Sequence, residues 1–426
     1  MEELYIELNA LSPLAIRADH APGGAATAGY ISGTTFIGAL AAAHRLLRPH
    51  DTSEFERWFL SEQILYSNLY PASFADTGLQ DRNLPVYPLP RTAQSCKRHP
   101  GFLFPEKADN DAHGVRDSLI DWALFKLSLR NGADPLAALE KHKECRCGER
   151  MDVFDGYYRR NDLRKSQLIQ AKDRKRLRTH SGIDRRSGTV QEGILYNRQV
   201  FGEGMRFWGA LKVAGDEQLF SEFTSFLKDL DNKNKGLLRL GTGRTRGMGK
   251  VTIKVEQPKK AQRDPLELFK QRLEQFDALL HSQAEHFKLA GLENSFFFAL
   301  TLHSPLILQD ELLRYQGSID GNTNATTKAA RLEQLVDCAI PGLERIYQNA
   351  GVRRVAGWLE LWGTPRMNEY AIEPGSVFLF ACEGKPGEEA YQALFNLDQE
   401  GTGKRRAEGF GRVCVSDQFH QEIEVL

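Results

Sequence analysis

Gly236-Leu-Leu-Arg-Leu-Gly241-Thr-Gly-Arg-Thr-Arg-Gly-Met-Gly-Lys250 leads into an alternating segment, Val251-Thr-Ile-Lys-Val255. Gly241, Gly243, Gly247 and Gly249 let the backbone take positive φ and let a second backbone come close. Successive N–H groups in such a turn can form an anion-binding nest, and Arg244, Arg246 and Lys250 beside it can grip phosphate. The stretch is not a Walker motif, because no Gly-Lys-Ser/Thr follows. It is not a dinucleotide fingerprint, because it opens a strand and not a helix. Taken alone it also reads as a glycine-rich hairpin connection, so its surroundings decide.

Upstream, Leu219, Phe220, Phe223, Leu227 and Leu230 recur at helical spacing and predict a helix over about 216–231. Before it, Gly193–Val200 and Met205–Val213 read as strands around the turn Gly202-Glu-Gly204. At the start of the chain Leu4–Leu11 alternates as a strand and stops at Ser12-Pro13. Ser32-Gly-Thr-Thr then offers an N-cap to a helix whose Phe36, Leu40, Ala43 and Leu47 share one face. With the residues at about 50–180 set aside as an insertion, the order is β-α-β-β-α-β, the ferredoxin-like arrangement.

The pattern then starts again. Phe296-Phe-Phe-Ala-Leu-Thr-Leu-His-Ser-Pro-Leu-Ile-Leu308 repeats the run Tyr5-Ile-Glu-Leu-Asn-Ala-Leu-Ser-Pro-Leu-Ala-Ile16. Pro374–Cys382 echoes Gly204–Leu211, and Gly401-Thr-Gly-Lys-Arg-Arg-Ala-Glu-Gly-Phe-Gly-Arg412 restates the glycine-rich loop. Three blocks repeated in one order mark a duplicated domain. The fold class expected is therefore α+β: two tandem ferredoxin-like (RRM-like) domains, 1–256 and 291–426, joined by a linker and helix at 257–290. Within the second domain Ala329–Tyr347 reads as a helix and Glu388–Asn396 as a shorter one. Cys338, Cys382 and Cys414 fall in apolar patterns and read as buried thiols.

The insertion carries Cys96-Lys-Arg-His99 and Cys145-Arg-Cys147. Cys96, His99, Cys145 and Cys147 supply the four nitrogen and sulfur ligands of a structural Zn2+ site, with His113 and His142 as substitutes for His99. A metal would give a weakly hydrophobic segment its reason to fold; unrelated free thiols are the alternative. Arg159–Arg186 is the most basic window, running into His180-Ser-Gly-Ile-Asp-Arg-Arg-Ser-Gly188, and it reads as a phosphate-tracking arm that orders on binding, with a merely solubilising loop as the alternative. His44, near the end of the first helix, reads as a surface residue or a partner of the helix dipole.

Lys+Arg and Asp+Glu each number 56 in the 426 residues, so only local clusters argue for nucleic acid. No run of about 18 apolar residues predicts a membrane helix. The start of the chain is acidic and alternating, unlike a signal peptide. Six cysteines are too few for a disulfide scaffold at this length, and a cytoplasmic setting without membrane contact is expected.

Two ferredoxin-like halves, each closed by a glycine-rich basic loop, resemble the RAMP superfamily of CRISPR-associated proteins. The residues that carry the likeness are Gly241, Gly243, Arg244, Arg246, Gly247 and Gly249, and then Gly401, Gly403, Lys404, Arg405, Arg406, Gly409 and Gly411. Gly33-Thr-Thr-Phe-Ile-Gly-Ala-Leu-Ala41 and His180–Tyr196 are similar to blocks of the type III members, with Ile37 standing where a basic residue is common. The layout looks most like the Cas-five-like group, and the cysteine-bearing insertion like type III-D members of the Csx group. The resemblance implies a non-enzymatic subunit of a type III interference complex. Its partners would be the 5′ repeat-derived tag of the crRNA, the large polymerase-domain subunit and the backbone RAMP subunits. RNA contacts are expected from the first loop with Lys250, from His180, Arg185 and Arg186, and from Lys404, Arg405 and Arg406. The rival readings are a crRNA-processing endoribonuclease using His20, His44 or His180, and a metal-dependent backbone nuclease using an aspartate such as Asp184.

Overall fold

β1 (Glu2–Ala10) buries Leu4, Ile6, Leu8 and Ala10 and leaves the residues between them partly exposed, as one-sided packing of a pleated strand requires. The computed structural model describes residues 1–18, 26–73, 85–103, 111–132, 144–160, 168–171, 173–183, 186–233, 236–258, 264–321, 329–359 and 363–421. α1 (Gly33–Leu47) starts where the Ser32 hydroxyl accepts the Thr35 N–H, and Phe36, Leu40 and Ala43 face the core. Asp51 caps α2 (Thr52–Phe59) in the same way. β2 (Ile64–Tyr66) and β3 (Tyr70–Pro71) follow. The aromatic stretch from Phe55 to Tyr70 thus makes a helix and the second strand of the sheet, with Trp58 and Tyr66 in the core.

The insertion builds two small sheets. β4 (Tyr87–Pro88) pairs with β8 (Tyr157–Arg160) and β8 with β9 (Leu168–Ala171). β5 (Ala93–Cys96) lies between β6 (Val115–Asp117) and β7 (Met151–Val153), and α3 (Leu119–Asn131) follows β6. β10 (Lys175–Ile183) and β11 (Val190–Phe201) form a separate two-stranded ribbon. β12 (Arg206–Val213), α4 (Glu217–Asn232) and β13 (Val251–Glu256) complete the first half. Gly193–Val200 is therefore strand, as expected, but it belongs to the ribbon and not to the central sheet. The central order is β13-β1-β12-β2 with antiparallel neighbours, the ferredoxin-like order 4-1-3-2.

α5 (Pro265–His286) leads to the second half. There β14 (Ser295–Leu302) is followed by two small pairs, β15 (Leu308–Gln309) with β16 (Tyr315–Gln316) and β17 (Ser318–Asp320) with β18 (Ala329–Arg331). α6 (Leu332–Val336), β19 (Glu344–Asn349), the ribbon β20 (Val352–Leu359) and β21 (Thr364–Ile372), β22 (Val377–Glu383), α7 (Glu388–Glu400) and β23 (Val413–Val415) come next. The sheet runs β19-β22-β14-β23, the same order as in the first half. The helix expected over 329–347 is a single five-residue turn of helix flanked by strands. Asp337 takes a left-handed conformation at its end, and Pro341 has no N–H with which to continue it.

The two sheets differ in cover. β14 is buried on both faces, which explains its unbroken apolar run. One face meets Phe269 and Leu273 of α5 together with Leu394 and Leu397 of α7. The other meets Leu119, Ile120, Ala123, Leu124 and Leu127 of α3, from the insertion, and Phe276 and Leu280 of α5. Each such leucine, isoleucine or phenylalanine contributes about 1.5–3 kcal/mol on full burial. The insertion therefore ties the halves together and is not an appendage. A polar seam reinforces this: His420 Nδ1 lies 2.7 Å from Asp117 Oδ2, and His303 Nε2 lies 2.6 Å from Asp417 Oδ2 with the Tyr87 ring stacked on it at 4.1 Å.

Candidate nucleic-acid interface and metal centre

Each glycine-rich loop locks onto the Ser-Pro-Leu segment of its own half through the same hydrogen bonds. In the first half Gly249 N–H donates to Pro13 O, Thr242 N–H to Ala15 O, Leu240 N–H to Gly249 O and Lys250 N–H to Ser12 Oγ. In the second, Gly411 N–H donates to Pro305 O, Lys404 N–H to Ile307 O, Thr402 N–H to Gly411 O and Arg412 N–H to Ser304 Oγ. These bonds fix the equivalences. Gly241 matches Gly403, Gly243 matches Arg405, Arg246 matches Glu408, Gly247 matches Gly409 and Lys250 matches Arg412. The sequence repeat, aligned on Gly-Thr-Gly, is two residues out of register at this end. Gly243 and Arg405 both have positive φ, 76° and 60°. Several N–H groups of the first loop are spent on its own scaffold, so the loop's side chains are its main means of holding an anion.

The ribbon β10–β11 rises beside the first loop. Its root is tied by reciprocal hydrogen bonds between Leu14 and Phe201, as Leu306 and Ile372 tie the ribbon of the second half. Strand alternation gives it two unlike faces. One carries Leu177, Thr179, Ser181 and Leu195. The other carries Arg176, Arg178 opposite Arg198, and His180 opposite Tyr196. The last pair stacks at 5.2 Å and 17°. The Arg246 guanidinium donates to the Tyr196 hydroxyl, and Arg198 Nη1 donates to Thr242 Oγ1 at 3.3 Å, so the cationic face is continuous with the loop. Among the described residues no carboxylate pairs with Arg178, Arg198 or Arg246. Like charges directly opposite each other across a strand pair are destabilising, and an anion between them removes the penalty.

The second loop has the opposite character. Arg405 is largely buried, bonded to Glu369 and to Glu408 and lying over the Phe410 ring at 4.6 Å. Arg366 pairs with Glu408 at 2.9 Å. Burial pushes the Glu408 carboxyl up, but Arg405 and Arg366 outweigh it and hold the group below the usual range. The loop is pressed onto the first half: Asn68 Nδ2 donates to Gly409 O and Thr34 Oγ1 to Glu408 Oε2. The start of α1 is thus covered by the second loop. Lys404 donates to Gln309, and Arg406 lies 3.8 Å from Glu400.

In the insertion, Cys96, His113, Cys145 and Cys147 bring one ligand atom each within 4.8 Å of one another. Cys96 Sγ and Cys147 Sγ are 3.7 Å apart, and His113 Nδ1 and Cys145 Sγ 3.2 Å. The sulfur spacing excludes a disulfide and matches the roughly 3.8 Å edge of a tetrahedron with metal–sulfur bonds of about 2.3 Å. The set can hold a metal ion. His99, the first choice from sequence, stacks on His113 at 4.3 Å and is not in the cluster; its backbone carbonyl accepts the His113 N–H. Burial pushes the Cys96 thiol up, but the N–H groups of His99 and Arg98 point at its sulfur and lower it overall. Gly148, with φ 76°, closes the Cys-Arg-Cys turn. A second grouping, His303, Cys414 and Asp417, has its carboxylate taken up by His303, Tyr158 and the Phe419 N–H, with Arg272 close by, and reads as part of the polar seam.

His44 is fully buried, with Nε2 3.2 Å from Glu54 and its ring among Phe55, Trp58, Phe59 and Phe226. It is neither a surface residue nor placed to reach RNA. Arg186 is at the exposed tip of the first ribbon; Arg185, Asp184, His20 and His142 lie outside the described residues. The basic window is not one arm, because Arg159 is buried in the insertion while Arg176 and Arg178 are on the ribbon. Sequence reasoning misses Arg198 and Tyr196, though strict alternation across His180 and Arg178 was the available signal.

No family model matches the chain, and no curated protein matches it. Among solved structures it is similar to a chain of the type III-B Cmr-beta complex bound to cognate target RNA and AMPPnP, at 12% identity and TM-score 0.39, covering 88% of this chain and 86% of that one. It is also similar to Cmr4 from Pyrococcus furiosus in its oligomeric crystal form, at 13% identity and TM-score 0.27, covering 60% and 99%. A chain of a type IV-B CRISPR complex gives 14% identity and TM-score 0.26, covering 62% and 94%.

Proposed function

We propose that the chain is a non-catalytic RNA-binding subunit of a type III CRISPR interference complex, holding the 5′ repeat-derived tag of the crRNA on its first half. The observation that carries this reading is the two-faced ribbon. Its cationic and aromatic face runs without a break into the exposed first loop, and among the described residues no carboxylate pairs with Arg178 or Arg198 of the ribbon or with Arg246 of the loop. Arg178, Arg246 and Lys250 would meet phosphates, and the His180–Tyr196 stack offers a platform for an unpaired base. The large subunit and the backbone subunits are the protein partners under this reading.

The test is binding of single-stranded RNA to the full chain over a range of salt. Arg178→Glu is expected to weaken all sequences alike and to reduce the salt slope by about one. An unchanged affinity would remove the ribbon from the interface. RNA that co-purifies with the chain should carry one common repeat-derived 5′ end. Incubation with repeat RNA should leave it intact; site-specific cleavage would establish the endoribonuclease reading instead.

Zinc is the ion proposed for the cysteine–histidine cluster, since three thiolates and one imidazole suit a closed tetrahedral site. Its role is structural, fixing β5 and β7 in the insertion. One equivalent of zinc per chain is expected by elemental analysis, lost in Cys96→Ser and retained in His99→Ala.

A further inference from the structure

At the root of the first ribbon a pocket of about 230 Å³ opens between the β1–α1 connection, β11 and the glycine-rich loop. Its polar lining is Arg17, Thr27, Arg198, Gln199 and Thr242. This is smaller than the roughly 300–1,000 Å³ that organic ligands occupy, and suits a single oxyanion. Most of the neutral groups are already engaged. Thr27 Oγ1 accepts the Ile16 N–H at 2.9 Å and its own N–H donates to Gln199 Oε1 at 3.1 Å, while Thr242 donates its N–H to Ala15 O at 2.9 Å. What remains is two guanidiniums. Among the described residues the Arg198 guanidinium hydrogen-bonds only to Thr242 Oγ1, and the Arg17 guanidinium to none, its backbone alone bridging Thr27. No carboxylate stands among the described lining residues. Two guanidiniums lining one small pocket favour an anion between them, and guanidiniums meet phosphate oxygens with paired donors.

We infer that Arg17 and Arg198 jointly grip one phosphate of the bound RNA in this pocket, so that it sets where the strand lies against the first loop. The inference rests on the RNA-binding reading above. The phosphate is either an internal phosphodiester or a 5′-terminal phosphate; both present the same oxygens.

The test is a double-mutant cycle on the full chain. Binding of one single-stranded RNA, made with a 5′-phosphate and with a 5′-hydroxyl, is measured for wild type, Arg17→Gln, Arg198→Gln and the double variant. Each single change is expected to weaken binding about tenfold or more. The double variant should lose clearly less than the product of the two, because partners of one phosphate are coupled. Arg17→Lys/Arg198→Lys should recover part of the loss, and unchanged thermal midpoints separate binding from folding. Equal losses with both RNAs assign an internal phosphodiester; losses confined to the 5′-phosphorylated RNA assign the terminus. Fully multiplicative losses, or none, overturn the shared phosphate. If Arg178→Glu weakens RNA while Arg17→Gln and Arg198→Gln do not, the pocket fails and the RNA reading stands. If the wild type binds no RNA, both fall.

Discussion

The two glycine-rich loops have one backbone and opposite electrostatics. Arg246 of the first is Glu408 in the second, and Arg198 of the first ribbon is replaced at the matching place by Glu369. Gly243 becomes Arg405, a cation at positive φ held between those two new carboxylates. Lys250, exposed, becomes Arg412, whose guanidinium reaches Leu65 O in the first half and whose charge burial disfavours. Duplication has thus kept a hydrogen-bonded frame and divided its uses. Among the described residues one copy leaves Arg198 and Arg246 without a carboxylate partner; the other turns the matching positions into an ion cluster where the halves meet.

The largest expected effect comes from the glycine that both frames share. Gly247 and Gly409 have similar positive φ, 76° and 89°, so alanine at either costs about 1–2 kcal/mol of backbone strain. A Cβ at Gly247 meets nothing within 4 Å, whereas one at Gly409 would lie 2.8 Å from Asn68 Oδ1 and 3.2 Å from Gly33 Cα. Gly409→Ala should therefore cost about 1–3 kcal/mol more than Gly247→Ala in denaturant unfolding. Equal costs would mean that the second loop is not pressed against α1. Next in size is the ion cluster. Glu408→Ala strips Arg405 and Arg366 of a shared partner in a mostly buried setting, for an expected loss of about 1–3 kcal/mol. Arg246→Ala, at the matching position, should stay within about 0.5 kcal/mol of wild type.

The contrast can also be read through RNA. Arg246→Glu installs the charge of the second loop in the first. It should weaken RNA binding about tenfold and reduce the salt slope by about one, with little change in stability. Arg405→Ala should do the reverse, lowering the thermal midpoint with RNA affinity unchanged. An RNA effect from Arg405 would restore the second loop to the interface.

Much of the frame was legible in sequence, because periodicity and the repeated Ser-Pro-Leu and glycine blocks report local backbone demands. The ferredoxin-like class and α4 follow from them, and the metal-ligand cysteines from their own close spacing, while the segment that reads as the second strand belongs to the ribbon. What failed were features set by tertiary partners. The second strand, Ile64–Tyr66, is too short to show alternation. His44 looks polar at the end of a helix, yet aromatic rings enclose it. His113 joins the metal set because the hairpin β5–β6 folds it over Cys145, a relation that spacing does not encode. The basic second loop looks like the first until Glu369, 36 positions upstream, is brought onto Arg405.

The smallest effect is in pH. The Glu408 carboxyl is held below its ordinary value in the folded chain, because the guanidiniums of Arg405 and Arg366 outweigh its burial. A depressed carboxyl contributes stability that is fully present above the unfolded value of about 4.3 and lost as pH falls through the lower folded value. Glu408→Gln has no such proton to bind. The stability gap between wild type and Glu408→Gln should therefore be constant from neutral pH down to about 5, then narrow as the pH falls below about 4.3. Among the described residues the first loop pairs Arg246 with a tyrosine hydroxyl and no carboxylate, so Arg246→Gln should leave the acid limb of the stability curve unmoved. A gap that widens in acid would show that Glu408 is strained by burial and not held by its arginines, and the division of labour between the loops would then lose its electrostatic basis.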